Sequence, residues 1–272
     1  MKVKEFFYLL GMKPGPRTFG VELRHVDLAR EGRVDVAQWT APKALDMRPT
    51  QAQVDRLRLF LRPGDVAIDI GAHMGDTALP IALAVGPTGA VLSLEPNPYI
   101  YPVLEWNAAL NRDRTRIIPL RFAAMREDGE YEFQYGSRDF DNGGFHEGMS
   151  RWLHGSAFTV KVPGHNTTDY LRRHHADLLP KLRFIKVDAE GFDLAVVETL
   201  VPLIEAHRPF LQVEVFSLKR SLPGYREKLI GFLQGLGYEL RKADAGPPFE
   251  GTSITAANLS QWNGYDVFCI PR

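Results

Sequence analysis

The run VAIDIGAHMGDTALPIALAVG, residues 66–86, decides the fold. Its first five residues, VAIDI, have the length and apolar character of a strand covered on both faces. A turn bounded by Gly71 and Gly75 follows, and an apolar helical stretch over roughly 75–85 comes directly after it. Glycines in such a turn let a ligand approach the backbone closely, and the helix start offers unpaired N–H groups to an anionic group. In open α/β sheets, ligands lie beyond the carboxyl ends of the strands near the topological switch point. Asp69, Gly71, Ala72, His73, Gly75 and Thr77 are therefore candidate binding residues.

Working outward, the same rhythm repeats. AVLSLE (90–95), RIIPL (116–120), RFIKVD (183–188) and FLQVEVF (210–216) read as buried strands, with helices at roughly 97–111 and 192–206. The pattern predicts an α/β fold with a doubly wound, mostly parallel seven-stranded sheet. YELRK (238–242) and YDVFCI (265–270) have no helix between them and are expected to close the sheet as an antiparallel pair. YEFQY (131–135) and AFTVKV (157–162) are extra strands in the middle. Residues 1–50 differ: Pro14, Gly15, Pro16 and Gly20 punctuate them, and residues 21–39 read as a hairpin around a Glu31-Gly32 turn. They are expected to form an N-terminal extension or cap, open to serving as a homodimer contact, with the catalytic domain over 51–272. A helix over 51–62 should end at Pro63-Gly64.

Among the 272 residues, Lys+Arg and Asp+Glu both number 33. A formal net charge of +0 lacks the basic surplus that phosphate neutralisation requires, so no nucleic-acid partner is expected. The single cysteine, Cys269, excludes an intramolecular disulfide and a Cys-rich zinc module. No apolar run approaches the roughly 20 residues of a membrane span. With Glu5 ahead of the short N-terminal apolar patch and no small-residue cleavage site after it, a cytoplasmic location is expected.

The second strand ends in Glu95, about 25 residues past the glycine turn, where a carboxylate can accept two hydrogen bonds from a ribose diol. Two cofactors fit that pair. A dinucleotide should bring G-x-G-x-x-G, but Gly71-Ala72-His73-Met74-Gly75 lacks the middle glycine and has the wrong spacing. S-adenosyl-L-methionine has no pyrophosphate and requires only a close turn for its amino-acid end and an acid for its ribose. The purely structural alternative is that Asp69 caps the next helix and Glu95 is a solvated strand end.

DIGAHMGDT, LSLEPNP, EWNAALN, NTTDYL and above all FIKVDAEGFDLAVVETL resemble the FkbM-type S-adenosylmethionine-dependent methyltransferases, over roughly residues 64–216. The resemblance implies a class I methyltransferase fold and methyl transfer to a hydroxyl of a sugar, glycan precursor or small natural product. It assigns Asp69, Gly71, Ala72 and Gly75 to the cofactor turn and Glu95 to the ribose. Asn97, Pro98, Ala123 and Ala124 would border the adenine, and Asn142, Gly143 and Gly144 would approach the methionine end. His73 stands where the family commonly has Asn, and Asp193 where Glu is common.

A second acidic group follows from the residues themselves. RFIKVDAEG carries a strand into Asp188 and Glu190, and Glu214 lies within the next strand, FLQVEVF. Alternation puts Gln212 and Glu214 on one face and Leu211, Val213 and Val215 on the other. A carboxylate inside a central strand is costly unless paired, protonated or bound to a cation. Methyl transfer to an alcohol requires either a base for its proton or a metal to acidify it. Glu190 is the candidate base. Asp188 and Glu214 would orient it or, in the metal-assisted alternative, hold a divalent cation such as Mg2+. The bland alternatives are a helix cap by Asp188 and an ion pair of Glu214 with Lys186 or Arg183. Lys186 also shares a face with Asp188, which makes a structural ion pair there a further option.

The long stretches 137–156 and 244–264 are where an acceptor would bind. Phe140, Trp152 and Trp262 would stack on a ring or pin the loops, and His146, His154 and His165 lack metal-ligand spacing. Competing readings are a nicotinamide-dependent oxidoreductase and a cofactor-binding regulatory protein without catalysis.

Overall fold

The structure, a computed structural model, describes residues 17–135, 143–144, 158–215, 223–244 and 246–272. The sequence expectations for Phe140, Asn142, His146, Trp152 and His154 fall outside these residues, and Gly143 and Gly144 are described through their backbone pairing alone.

The chain opens with an antiparallel hairpin, β1 (Val21–Leu28) and β2 (Gly32–Trp39), with Gly32 at φ +67° in the expected turn. Helix α1 (Gln51–Leu57) starts at a capping box between Thr50 and Gln53. It stops earlier than Arg62 because i→i+3 bonds from Leu59 to Arg56 and from Phe60 to Leu57 tighten the chain there.

The main sheet contains β3 (Val66–Ile70), β4 (Ala90–Leu94), β5 (Ile117–Leu120), β10 (Leu182–Val187), β11 (Phe210–Val215), β12 (Tyr238–Lys242) and β13 (Tyr265–Pro271). Its order is β12-β13-β11-β10-β3-β4-β5. The four pairings from β11 to β5 are parallel, and the two that involve β13 are antiparallel. The sheet is thus mixed, with the expected antiparallel pair at one edge. The middle strands form a separate four-stranded sheet: β6 (Ala123–Ala124), β7 (Gly129–Tyr135), β8 (Gly143–Gly144) and β9 (Phe158–His165), in the order β6-β9-β7-β8.

Alternation along β3 divides the core. Val66, Ile68 and Ile70 join the cluster packed by α4 (Thr167–His174), α5 (Asp193–His207) and α6 (Tyr225–Gly235). Ala67 joins the opposite cluster with α1, α2 (Ala78–Val85) and α3 (Tyr101–Ala109). All eight residues of α2 are buried, as a helix apolar on every side must be. Helix α6 is an element that the sequence expectations do not include, although Leu229, Ile230 and Leu233 mark its buried stripe.

The hairpin is bound into this second core. Val34, Val36 and Trp39 belong to the cluster around α2 and α3. Asn107, fully buried on α3, accepts from Ala37 N at 2.8 Å and donates to Ala37 O at 2.9 Å and to Met74 O at 2.8 Å. One amide therefore fastens β2 to the glycine turn.

Candidate active site

The glycine turn after β3 takes its shape from two left-handed glycines, Gly71 at φ +77° and Gly75 at φ +96°. A Cβ on Gly71 would lie 2.0 Å from the backbone oxygen of Asp188. A close approach that demands glycine here is therefore to the end of β10. His73 sits between them at φ +49°, a region that Asn tolerates better than most residues. Its backbone N–H donates to Glu95 Oε2 at 2.9 Å.

Glu95 is buried at the end of β4, and its Oε1 accepts from Asn97 N at 2.8 Å. Burial pushes its carboxyl up to about 7 against the pull of the two amides. Each carboxylate oxygen keeps a further lone pair, so the group can still accept two hydroxyl donors.

These residues border a cavity of about 720 Å³ over the carboxyl ends of the strands. Of the residues singled out in the sequence, Gly71, His73, Thr77, Glu95, Asn97, Ala123, Ala124, Asp188 and Glu190 line it. Asp69, Ala72, Gly75, Pro98 and Glu214 do not. Asp69 is fully buried beneath the turn, where its Oδ2 accepts from the Thr77 hydroxyl at 2.6 Å. Ala72 is buried in the core beside α2, and Gly75 packs near Leu104 and Asn107 of α3.

Beyond the turn, the floor is formed by the D-A-E-G segment. Asp188 and Lys186 meet as alternation allows, with Lys186 Nζ 3.0 Å from Asp188 Oδ2 and 3.8 Å from Asp69 Oδ1. Burial would lower the Lys186 pKa, but Asp188 and Asp69 outweigh it and hold the ammonium above its ordinary value. Asp188 does not cap α5. Instead Asp193 accepts from Ala189 N at 2.8 Å and from Gly191 N at 3.2 Å, with Tyr225 Oη at 3.4 Å. That brace supports the left-handed pair Glu190 (φ +49°) and Gly191 (φ +98°) and sets Glu190 in the cavity wall. Burial pushes the Asp193 carboxyl up to about 7 despite these donors.

Glu214 does not line the cavity, and its Oε2 is buried without a hydrogen-bond partner among the described residues. Burial, reinforced by Asp188, Asp193, Glu190 and Asp266, raises its carboxyl to about 9. Among the described residues no group of three or more His, Cys, Asp or Glu side chains is arranged to hold a metal ion. The donor set expected for a divalent cation does not fit, because Lys186 already stands beside Asp188.

Sequence reasoning missed several wall residues. Lys43, Ala44 and Leu45 come from the loop after β2, and Phe122, Met125 and Phe133 add an apolar flank. Gln212 and Asp266 form the far side, joined by a 2.6 Å hydrogen bond from Gln212 Nε2 to Asp266 Oδ2. The antiparallel register Glu214–Asp266 between β11 and β13 places them there, and only the edge-pair topology could have revealed it. Trp262 packs edge-on against Tyr265, with its ring near Lys242, in keeping with the loop-pinning alternative.

No curated protein matches the chain by sequence. Among solved structures, it is similar to methyltransferase FkbM from Methylobacillus flagellatus KT, at 14% identity and a TM-score of 0.46. That match covers 76% of this chain and 44% of the other, so the chain spans less than half the length of that protein. It is also similar to Aeropyrum pernix fibrillarin in complex with natively bound S-adenosyl-L-methionine, at 12% identity, covering 94% and 97% of the two chains, TM-score 0.44. P. horikoshii TYW2 in complex with MeSAdo gives 16% identity, coverage of 98% and 79%, and a TM-score of 0.42. The model of the methyltransferase FkbM domain matches residues 69–240, more than half of the chain, from the acid of the glycine turn to the edge strand β12. The chain belongs to the FkbM methyltransferase domain family.

Proposed function

We propose that the protein is an S-adenosyl-L-methionine-dependent O-methyltransferase acting on a hydroxyl of a sugar, glycan precursor or small natural product. The observation that carries this reading is a single cavity with Glu95 and the glycine turn on one side and Asp188 and Glu190 on the other. Its four parallel strand pairings and helix-covered faces support a class I, doubly wound architecture.

The residues fit the cofactor. Glu95 retains acceptor capacity for a ribose diol, Ala123 and Ala124 with Phe122 offer an apolar wall for a base, and the turn before α2 suits the amino-acid end. When bound, the cofactor supplies an electrophilic methyl group on a sulfonium.

The protein's part is to position the acceptor and move one proton. Glu190, in the cavity wall, would take the proton of an acceptor hydroxyl held there. Asp193 holds the turn that presents Glu190, and the Lys186 ammonium fixes the Asp188 carboxylate beside it. The formal net charge of +0 and the partly apolar cavity favour a small-molecule acceptor over a nucleic acid.

Glu190→Gln tests the base. It should keep S-adenosylhomocysteine affinity within about twofold and lower kcat by roughly 10²–10⁴ on an acceptor found by screening hydroxylated compounds. Turnover near the wild-type value would exclude Glu190 as the base.

A further inference from the structure

We propose that Lys43, on the loop after β2, binds the α-carboxylate of the cofactor, which makes the N-terminal hairpin a working part of the cofactor site. The inference rests on the cofactor reading above and concerns a residue outside the matched stretch 69–240.

The cofactor's amino-acid end is zwitterionic, and its carboxylate calls for a cation or several N–H donors. Among the described residues, the cavity wall contains two lysines and no arginine: Lys43 and Lys186. Lys186 is buried and engaged, 3.0 Å from Asp188 and 3.8 Å from Asp69. Lys43 forms no ion pair with any described residue. Its exposed position at the rim leaves its three donors available.

The loop is held rather than loose. The buried Gln38 amide donates to Trp39 O and Leu45 O, each at 2.9 Å, and its oxygen accepts from Met47 N at 2.6 Å. Met47 is buried, and Ala44 packs against the cluster that contains Ala72 and Met74 of the glycine turn. The Trp39 ring meets the His73 ring edge-on, with centroids 6.3 Å apart. These contacts set the Lys43 loop beside the turn that precedes α2. Asp76 and Thr77, at the start of that helix, line the same wall, and Thr77 makes no side-chain cap bond to it. In the first turn of α2, Leu79 N–H already donates to Gly75 O, Ile81 N–H to Thr77 O, and Pro80 has none, so the Lys43 ammonium is the cationic group that this side of the cavity offers a carboxylate.

The test compares two probes, S-adenosylhomocysteine, which has the amino-acid end, and 5′-methylthioadenosine, which lacks it. Calorimetric titrations of the full chain and of Lys43→Ala are run at low salt, with melting curves to confirm that the exposed substitution leaves the fold intact. Lys43→Ala should weaken S-adenosylhomocysteine about fivefold and 5′-methylthioadenosine less than twofold. Lys43→Glu should widen that gap, and 0.5 M salt should narrow it in the wild type. Equal weakening of both probes, or of neither, overturns the assignment. Loss of binding to both probes in the wild type itself overturns the cofactor reading, and this inference with it.

Discussion

Lys186 and Asp188, two residues apart at the end of β10, form an ion pair whose members face different surroundings. The lysine side chain is 8% exposed and the carboxylate 39% exposed, with Nζ and Oδ2 3.0 Å apart. Asp69, fully buried, stands 3.8 Å behind the ammonium and takes the Thr77 hydroxyl on its other oxygen. A chain of polar groups thus runs from the start of α2 through the floor of the sheet to the cavity.

Removing the cation should leave Asp69 as an uncompensated buried acid. Lys186→Met is expected to cost about 3–5 kcal/mol in urea unfolding. The charge-balanced double variant Asp69→Asn, Lys186→Met should regain more than half of that loss. A single variant as stable as the wild type would show that the chain contributes nothing to folding.

Asn107 makes the second structural link, from α3 to both β2 and the glycine turn. Because all three hydrogen bonds are buried, Asn107→Ala should lower stability by roughly 2–4 kcal/mol. It should also raise amide hydrogen exchange at Met74 and Ala37 before the rest of the sheet opens. Uniform exchange across the sheet in this variant would argue against a specific fastening role.

Glu214 gives the fold a pH dependence with a definite sign. Its folded carboxyl is raised to about 9 from an ordinary 4.5, so between those values the folded state holds a proton that the unfolded chain releases. The stabilising effect is complete below about 4.5 and is lost as pH rises through 9, at no more than about 1.4 kcal/mol per pH unit. Glu214→Gln should remove this slope, so its melting temperature should gain on the wild type from pH 5 to 9. A constant difference across that range would place the Glu214 carboxyl near its ordinary value.

What the sequence made legible was what depends on short-range pattern. VAIDI and YELRK form strands over the residues read from them, the first apolar but for Asp69 and the second at the sheet edge. The juxtaposition of Lys186 with Asp188 followed from strand alternation alone. The illegible parts depend on distant pairing. Asn107 lies in a motif visible in the sequence, yet its task emerges only when α3 meets β2 and Met74. YEFQY and AFTVKV read as strands, but nothing local shows that they leave the main sheet and pair with each other. For Glu214 the sequence leaves pairing, protonation and cation binding open, because its burial and its neighbours Asp188, Asp193, Glu190 and Asp266, which raise its carboxyl, are set by the tertiary fold.

In the proposed function, Glu95 receives the ribose of an adenosyl cofactor. Isothermal titration with S-adenosylhomocysteine at pH 6 and pH 8, on the wild type and on Glu95→Gln, tests it most directly. Because hydroxyl donors favour the ionised carboxylate and burial sets this group at about 7, wild-type affinity should rise between the two pH values. Glu95→Gln should bind about tenfold or more weakly at pH 8 and show no such rise. Absence of binding by the wild type, or an unchanged affinity in Glu95→Gln at both pH values, would contradict the account.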